Sequence, residues 1–130
     1  MSEPSGDVDY LDAVVACCDL LIEQGTDRYG PVHSPQVASV LRLATRAMPV
    51  VRPPEIAGQR PEDRGYGGGN LLHDLPLLGC WYDLGRVLGL PRFAEAADGY
   101  LQWFLDNCPN PVTGLFPWGE HTFWHFVYER

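Results

Sequence analysis

Basic residues are scarce in this 130-residue chain: nine Lys and Arg stand against 17 Asp and Glu, a formal net charge of −8. Nucleic-acid binding needs clustered Lys and Arg to meet the phosphates, so this balance argues against a nucleic-acid partner. It also argues against binding to an anionic membrane surface. An acidic total still allows an anionic substrate in a locally basic cleft, which Arg28, Arg60 and Arg64 can line from predicted loops.

Long apolar runs are missing too. No run approaches the roughly 20 residues that a transmembrane helix needs, so no membrane partner is predicted. The N-terminus, MSEPSGDVDY, lacks the basic start and apolar core of a signal peptide, which favours a cytoplasmic location. The four cysteines have no metal-knuckle spacing, and we expect them to be reduced and mostly buried.

Alternation of apolar and polar residues is too short anywhere to predict a strand. Apolar residues instead recur at three- and four-residue steps, which predicts helices over about 8–24, 35–47, 71–88 and 91–107. Ser34 and Pro35 suit the start of the second helix. The third is apolar almost all round and should be buried on every side. Gly89 and Pro91 predict a tight turn between the last two helices.

These elements predict an all-α fold of two antiparallel helical hairpins, spanning 1–130 as one domain. The loop over 49–69 is rich in Pro and Gly, and loops of this length are usually functional or disordered. Its end, GYGGG at 65–69, has no preceding strand and no following Lys-Ser/Thr, so we interpret it as flexible backbone close to a ligand or neighbour, not as a nucleotide site. Four helices can hardly surround the third one, so we expect an exposed apolar flank and self-association through it.

The most distinctive stretch is TGLFPWGEHTFWHFVY at 113–128, in which aromatic rings alternate with a carboxylate and imidazoles. Aromatic rings stack on the apolar face of a sugar, and Glu and His exchange protons. We therefore predict Trp118 and Trp124 as substrate-binding residues and Glu120 and His121 as catalytic residues. The alternative is that Glu120 caps a helix or pairs locally.

A metal site is not predicted in this stretch. His121 and His125 lie four residues apart and share a face if the stretch is helical. Zinc needs at least a third protein ligand, and the HExxH spacing is absent. No other cofactor is predicted either.

Two further polar clusters are candidates. His73 and Asp74 begin the third helix, where a neighbouring carboxylate can raise the pKa of the imidazole and make it a proton donor. The alternative is a buried hydrogen-bonded pair, with Asn70 as the helix cap. Asp27, Arg28 and Tyr29 follow the first helix and can bind a uronate or orient a base. The alternative there is an ion pair that braces the loop.

The segment GGNLLHDLPLLGCWYDLGRVLGLPRFAEAADGYLQWFLDN resembles a hairpin of the six-hairpin glycosidase superfamily, and DRYGPVHSP and TGLFPWGEH resemble cleft-facing loops of those proteins. The resemblance covers most of 8–128. It implies an α/α toroid that acts on an oligo- or polysaccharide as a polysaccharide lyase or a glycoside hydrolase. Such a toroid has twelve helices, so the chain is expected to be an N-terminal fragment of an incomplete toroid, inactive without its downstream hairpins.

Two other functions compete with this one. The first is a non-enzymatic helical-repeat module that binds a glycan or a protein partner, and the second is an inactive fragment. Within an antiparallel hairpin, the start of the third helix and the end of the fourth share a rim. We therefore expect His73 and Asp74 to lie near the segment that holds Trp118, Glu120 and His121.

Overall fold

The computed structural model describes residues 9–49, 51–52, 54–58, 60, 65–117, 119 and 123–130. The elements in chain order are α1 (Tyr10–Leu20) with a continuing π-helical turn (Leu21–Gly25), β1 (Gly68–Gly69), α2 (Leu71–Leu88), α3 (Pro91–Asn107) and β2 (Trp124–His125). The described part is mostly helical, with one small sheet of two strands, so the predicted all-α fold class is confirmed.

Helices α2 and α3 form an antiparallel hairpin with the bounds that the sequence predicts. Asn70 caps α2, because its Oδ1 accepts a hydrogen bond of 2.9 Å from the backbone N–H of Leu72. Gly89 ends the helix at φ 67°, a left-handed conformation that costs glycine little. Pro91 then occupies the first turn of α3, where its missing N–H leaves no bond unmade. These local signals fix the turn.

The core lies mainly between α2 and α3. Its largest fully buried side chains there are Trp81 of α2 and Phe93 and Tyr100 of α3, and α1 adds Cys18. The outer face of α2 is open to solvent, since Leu75 is 42% and Val87 67% exposed. The prediction that this helix is buried on every side is therefore wrong, and part of its apolar surface forms an exposed flank.

The helix predicted over 35–47 is not formed, although the structure describes all of these residues. Residues 36–39 run extended: Gln36 accepts a backbone hydrogen bond from Asp27, and the N–H groups of Ala38 and Ser39 donate to Gly25 and Gly68, each at 2.9 Å. Ser34 does not cap a helix, because its hydroxyl donates to Asp27. Lateral hydrogen bonds thus replace helical ones, and β-branched residues such as Val37 suit extended backbone.

The glycine-rich end of the long loop lies against neighbouring backbone. Gly68 and Gly69 pair antiparallel with His125 and Trp124. A Cβ on Gly68 would lie 1.9 Å from the carbonyl oxygen of Trp124, so the close pairing requires glycine. The expectation of close approach to a neighbour is confirmed, and the neighbour is the chain's own C-terminal segment.

Candidate functional site

A cleft of about 690 Å³ opens between the start of α2, the end of α3 and the segment that follows α3. Aromatic rings form much of its wall, namely those of Phe104, Phe116, Phe123 and Trp124. The rings of Phe104 and Phe116 are stacked with their centroids 5.8 Å apart. A concave, mostly apolar pocket with a few polar groups is the usual form of a small-molecule or oligosaccharide site.

Asn70 joins the two sides of this cleft. It is almost fully buried, and besides capping α2 it donates a hydrogen bond of 3.1 Å from Nδ2 to the carbonyl oxygen of Gly119. Gly119 is therefore tied to the start of α2. This is the juxtaposition expected for an antiparallel hairpin, in which the start of one helix and the end of the next share a rim.

Trp124 supplies an unused donor in the cleft wall. Strand β2 positions the residue by pairing it with Gly69, and its ring meets Trp103 edge to face at 5.1 Å between centroids. The indole Nε1 is buried and has no hydrogen-bond partner in the part of the chain that the structure describes. An unpaired buried donor costs about 1–3 kcal/mol. Because other atoms cover Nε1, a ligand oxygen gains this hydrogen bond only if the ring turns toward the cleft.

Glu129 and Arg130 are the charged described residues that line the cleft. Glu129 Oε1 accepts a hydrogen bond of 3.1 Å from the backbone N–H of Val32. Glu129 Oε2 is buried and has no partner among the described residues. Arg130 is exposed, and its guanidinium carbon lies 5.5 Å from the centroid of the Tyr128 ring. The cleft thus contains one shielded carboxylate and one solvated cation.

His73 and Asp74 lie on the first turn of α2, beside the cleft and not in its wall. His73 is exposed, whereas half-buried Asp74 accepts a hydrogen bond of 2.7 Å from the hydroxyl of Tyr100. Burial raises the pKa of the Asp74 carboxyl to about 6, while the Tyr100 bond and His73 oppose that shift. The same burial, together with the nearby carboxylate, raises the pKa of Tyr100. Asp74 can therefore hold a proton near neutral pH, within a hydrogen-bonded α2–α3 contact.

The loop that holds Asp27, Arg28 and Tyr29 is not brought to the cleft. Buried Asp27 accepts hydrogen bonds from the backbone of Tyr29 and from the backbone and hydroxyl of Ser34, at 3.0–3.2 Å. Arg28 donates to the carbonyl oxygen of Glu23. The structure places this loop as a brace, which is the alternative that the sequence leaves open.

Tyr29 also has a structural contact. Its hydroxyl accepts a hydrogen bond of 2.6 Å from the backbone of Met48, and its ring stacks on Phe126 with centroids 6.2 Å apart. Through Phe126, the loop after α1 supports the segment that carries Trp124.

Trp118, Glu120 and His121 lie outside the described residues, so their predicted roles remain predictions. His125, which shares a face with His121 only if this stretch is helical, has local hydrogen bonds. Its Nδ1 lies 3.2 Å and 3.3 Å from the backbone N–H groups of Val127 and Tyr128, from which it accepts. The described residues contain no group of three or more His, Cys, Asp or Glu side chains that can hold a metal ion.

The structure also describes the surroundings of the cysteines. Cys108 lines the cleft, but burial raises the pKa of its thiol to about 11, so it is protonated and a poor nucleophile near neutral pH. All four cysteines are free thiols, and Cys17 is exposed.

Among the helices described, none combines the length and apolar character needed to cross a bilayer.

Sequence reasoning missed Glu129 and gave Asn70 only a capping role. The Asn70 cap is visible in the sequence, because Asn precedes an apolar helical run. Its second bond to Gly119 joins residues 49 positions apart, and no local pattern reports such a contact. The same holds for Glu129 and Val32, which are 97 positions apart.

Comparison with models of protein families, with curated proteins and with solved structures finds no match to this chain. The resemblance to the six-hairpin glycosidases therefore rests on the sequence segments quoted above. The described structure adds the helical hairpin and the cleft beside it.

Proposed function

We propose that this chain is a carbohydrate-active protein whose cleft at the start of α2 binds an oligo- or polysaccharide. The observation that carries the proposal is the buried, unpartnered indole N–H of Trp124, a residue of a cleft whose wall also holds three phenylalanine rings. A sugar ring offers both complements: C–H faces that pack on aromatic rings and oxygens that accept hydrogen bonds. A purely apolar ligand would leave the indole N–H unsatisfied.

Catalysis as a polysaccharide lyase or glycoside hydrolase belongs to the same proposal but has less support. Asp74, with a pKa of about 6, has the proton affinity of a general acid near neutral pH. It is, however, bonded to Tyr100 and lies outside the cleft wall. An enzymatic reaction would therefore depend on the predicted catalytic residues Glu120 and His121. Asp27 and Arg28 are not among the described residues that line the cleft.

Isothermal titration calorimetry with a panel of neutral and uronic-acid oligosaccharides tests binding. Trp124→Phe keeps an aromatic ring but removes the N–H, and we expect it to weaken binding by about fivefold to tenfold, the loss of one neutral hydrogen bond. Trp103→Phe is the matched control, because Trp103 touches Trp124 from outside the cleft wall. No heat of binding with any member of the panel would refute the proposal.

A second candidate function is association with another copy of the chain. The groove between α1 and α2, about 580 Å³, is lined by apolar residues that include Leu11, Pro76 and Val87. Tyr10 beside it is 82% exposed. Light scattering during size-exclusion chromatography should show a dimer that Val87→Glu converts to monomer, and a monomer for the parent chain at high concentration would exclude this function.

A further inference from the structure

We infer that Glu129 determines the class of sugar that the cleft accepts: its carboxylate receives a hydrogen bond from a hydroxyl of a neutral sugar and disfavours a uronate. The inference rests on the proposed function and favours its glycoside-hydrolase form, because a polysaccharide lyase acts on a uronate. It adds a residue that the sequence does not single out. Four features of Glu129 support it, namely its backbone conformation, its anchor, its unpartnered oxygen and its position in the cleft.

The backbone of Glu129 adopts a conformation that glycine prefers. Its φ is 54°, and Arg46 is the only other non-glycine residue of the described part with a positive φ. Such a conformation costs an L-residue about 1–2 kcal/mol, and it persists only when surrounding contacts hold it. Here the N–H of Glu129 donates to the carbonyl oxygen of His125 at 2.8 Å, and the side chain reaches back to the loop after α1.

A hydrogen bond holds one oxygen of the Glu129 carboxylate in place. Oε1 accepts from the backbone N–H of Val32, and Gly30 makes room for this contact. A Cβ on Gly30 would lie 2.1 Å from Oε1, so any larger residue there would displace the carboxylate. The loop after α1 therefore leaves room for the Glu129 carboxylate only because residue 30 is glycine.

The other oxygen of the Glu129 carboxylate has no hydrogen-bond partner among the described residues and is covered by neighbouring atoms. Oε2 is buried without a partner among the described residues, although a carboxylate oxygen has two lone pairs to satisfy. Glu129 lines the same cleft as Trp124, so the cleft wall holds an unused acceptor as well as an unused donor. Hydroxyl groups both donate and accept, and a sugar presents several of them. This pairing suits the hydroxyls of any sugar ring, and the charge of Glu129 is what distinguishes a neutral sugar from a uronate.

The negative charge of Glu129 also favours a neutral sugar over a uronate. A uronate carboxylate near Glu129 would be repelled, and the repulsion is strong where water is excluded. Arg130 offers an opposite charge in the same cleft, but its side chain is exposed, so solvent and salt screen its attraction. The buried anion therefore outweighs the exposed cation in selecting between neutral and acidic ligands.

Calorimetry with matched ligand pairs tests the inference. Each pair is a uronic-acid oligosaccharide, such as tetragalacturonate, and its carboxyl-reduced neutral counterpart with the same linkages. The parent chain should bind the neutral member of the recognised pair at least about tenfold more tightly. Glu129→Gln should weaken neutral binding by about fivefold to tenfold, because a hydrogen bond to a charged acceptor is about twice as strong, and should improve uronate binding.

Glu95→Gln on the exposed side of α3 changes the net charge equally and should leave both affinities unchanged. Glu129→Asp keeps the charge but shortens the side chain, so it should weaken neutral binding without improving uronate binding. It replaces Glu129→Gln in the test if the Gln variant does not fold. Equal affinity of the parent chain for both members of a pair, or a Glu129→Gln variant that binds like Glu95→Gln, overturns the inference while the proposed function stands. Failure of the parent chain to bind any oligosaccharide overturns both.

Discussion

Replacing Asp74 by Asn should stabilise the protein at alkaline pH, because the wild-type residue holds a partly buried carboxylate. Burial raises its pKa from 3.8 to about 6. Between these values the unfolded chain loses its proton while the folded chain keeps it. Stability therefore falls as the pH rises through this window, and the full cost is present above about pH 6. An amide carries no charge and has no such cost.

The expected magnitude follows from the shift. About two pKa units correspond to about 3 kcal/mol as an upper bound. Because Asp74 is half-buried, solvent reduces this figure, and the carboxylate also gains about 0.5 kcal/mol from the N-terminal turn of α2. We therefore expect Asp74→Asn to raise the free energy of unfolding by about 1–2 kcal/mol near pH 8 and to leave it unchanged near pH 3.5.

Urea denaturation followed by circular dichroism at both pH values measures this difference. Asp98→Asn is a matched control, because Asp98 accepts a hydrogen bond of 2.6 Å from Tyr82 across the same two helices but on the exposed surface. That variant should change stability little at either pH. The reasoning is refuted if Asp74→Asn is less stable than the parent chain near pH 8, or if its advantage is the same at both pH values.

Four further substitutions test the fold. Gly68→Ala should destabilise the chain by about 3 kcal/mol or more, because the new Cβ would lie 1.9 Å from the carbonyl oxygen of Trp124. Gly99→Ala on α3 meets no atom within 4 Å and should stabilise it by about 0.5–1 kcal/mol. Asn70→Ala should cost about 1–3 kcal/mol, since it removes the α2 cap and a buried cross-link. Arg92→Met should cause a small loss that vanishes at high salt, because the ion pair it removes is exposed.

Chemical denaturation of all four variants at one pH measures these effects, with a salt series for Arg92→Met. Equal stability of Gly68→Ala and Gly99→Ala would contradict the close pairing of β1 with β2. An Asn70→Ala variant as stable as the parent chain would contradict the link between the start of α2 and Gly119.

Local signals made the α2–α3 hairpin predictable from the sequence. Asn70 caps α2 with its side chain, Gly89 ends it in a left-handed backbone conformation, and Pro91 fits the first turn of α3. The apolar spacing predicts the helical turns between these ends. The first helix was predicted over 8–24, and the structure has α1 over Tyr10–Leu20 and a π-helical turn to Gly25. The predicted start at residue 8 lies outside the described residues.

The helix predicted over 35–47 shows the limit of apolar periodicity. The spacing reports which residues are buried, and Val37 is indeed 4% exposed. It does not report how the backbone is hydrogen-bonded. Residues 36–39 form backbone hydrogen bonds to Gly25 and Asp27, which precede the segment in the chain, and to Gly68, which comes from a later part of it. Such long-range pairing leaves no periodic signature in a short segment.

The candidate site was predictable only in part. The aromatic segment after α3 and the rim that it shares with the start of α2 follow from the sequence pattern and the hairpin geometry. Trp124 was predicted, and the structure places it in the cleft wall. Glu129 depends on a contact with Val32 and on the space left by Gly30, which arise only when the loop after α1 meets the segment that follows β2.

The most direct measurement of the central claim is the indole N–H resonance of Trp124 in a ¹H–¹⁵N spectrum during titration with a neutral oligosaccharide. The resonance is assigned by its disappearance in Trp124→Phe. We expect it to shift as the ligand saturates, because the unpartnered Nε1–H gains an acceptor, while the indole resonance of Trp81 in the core stays in place. A Trp124 resonance that does not move at saturating ligand would contradict the assignment of this cleft as the carbohydrate site.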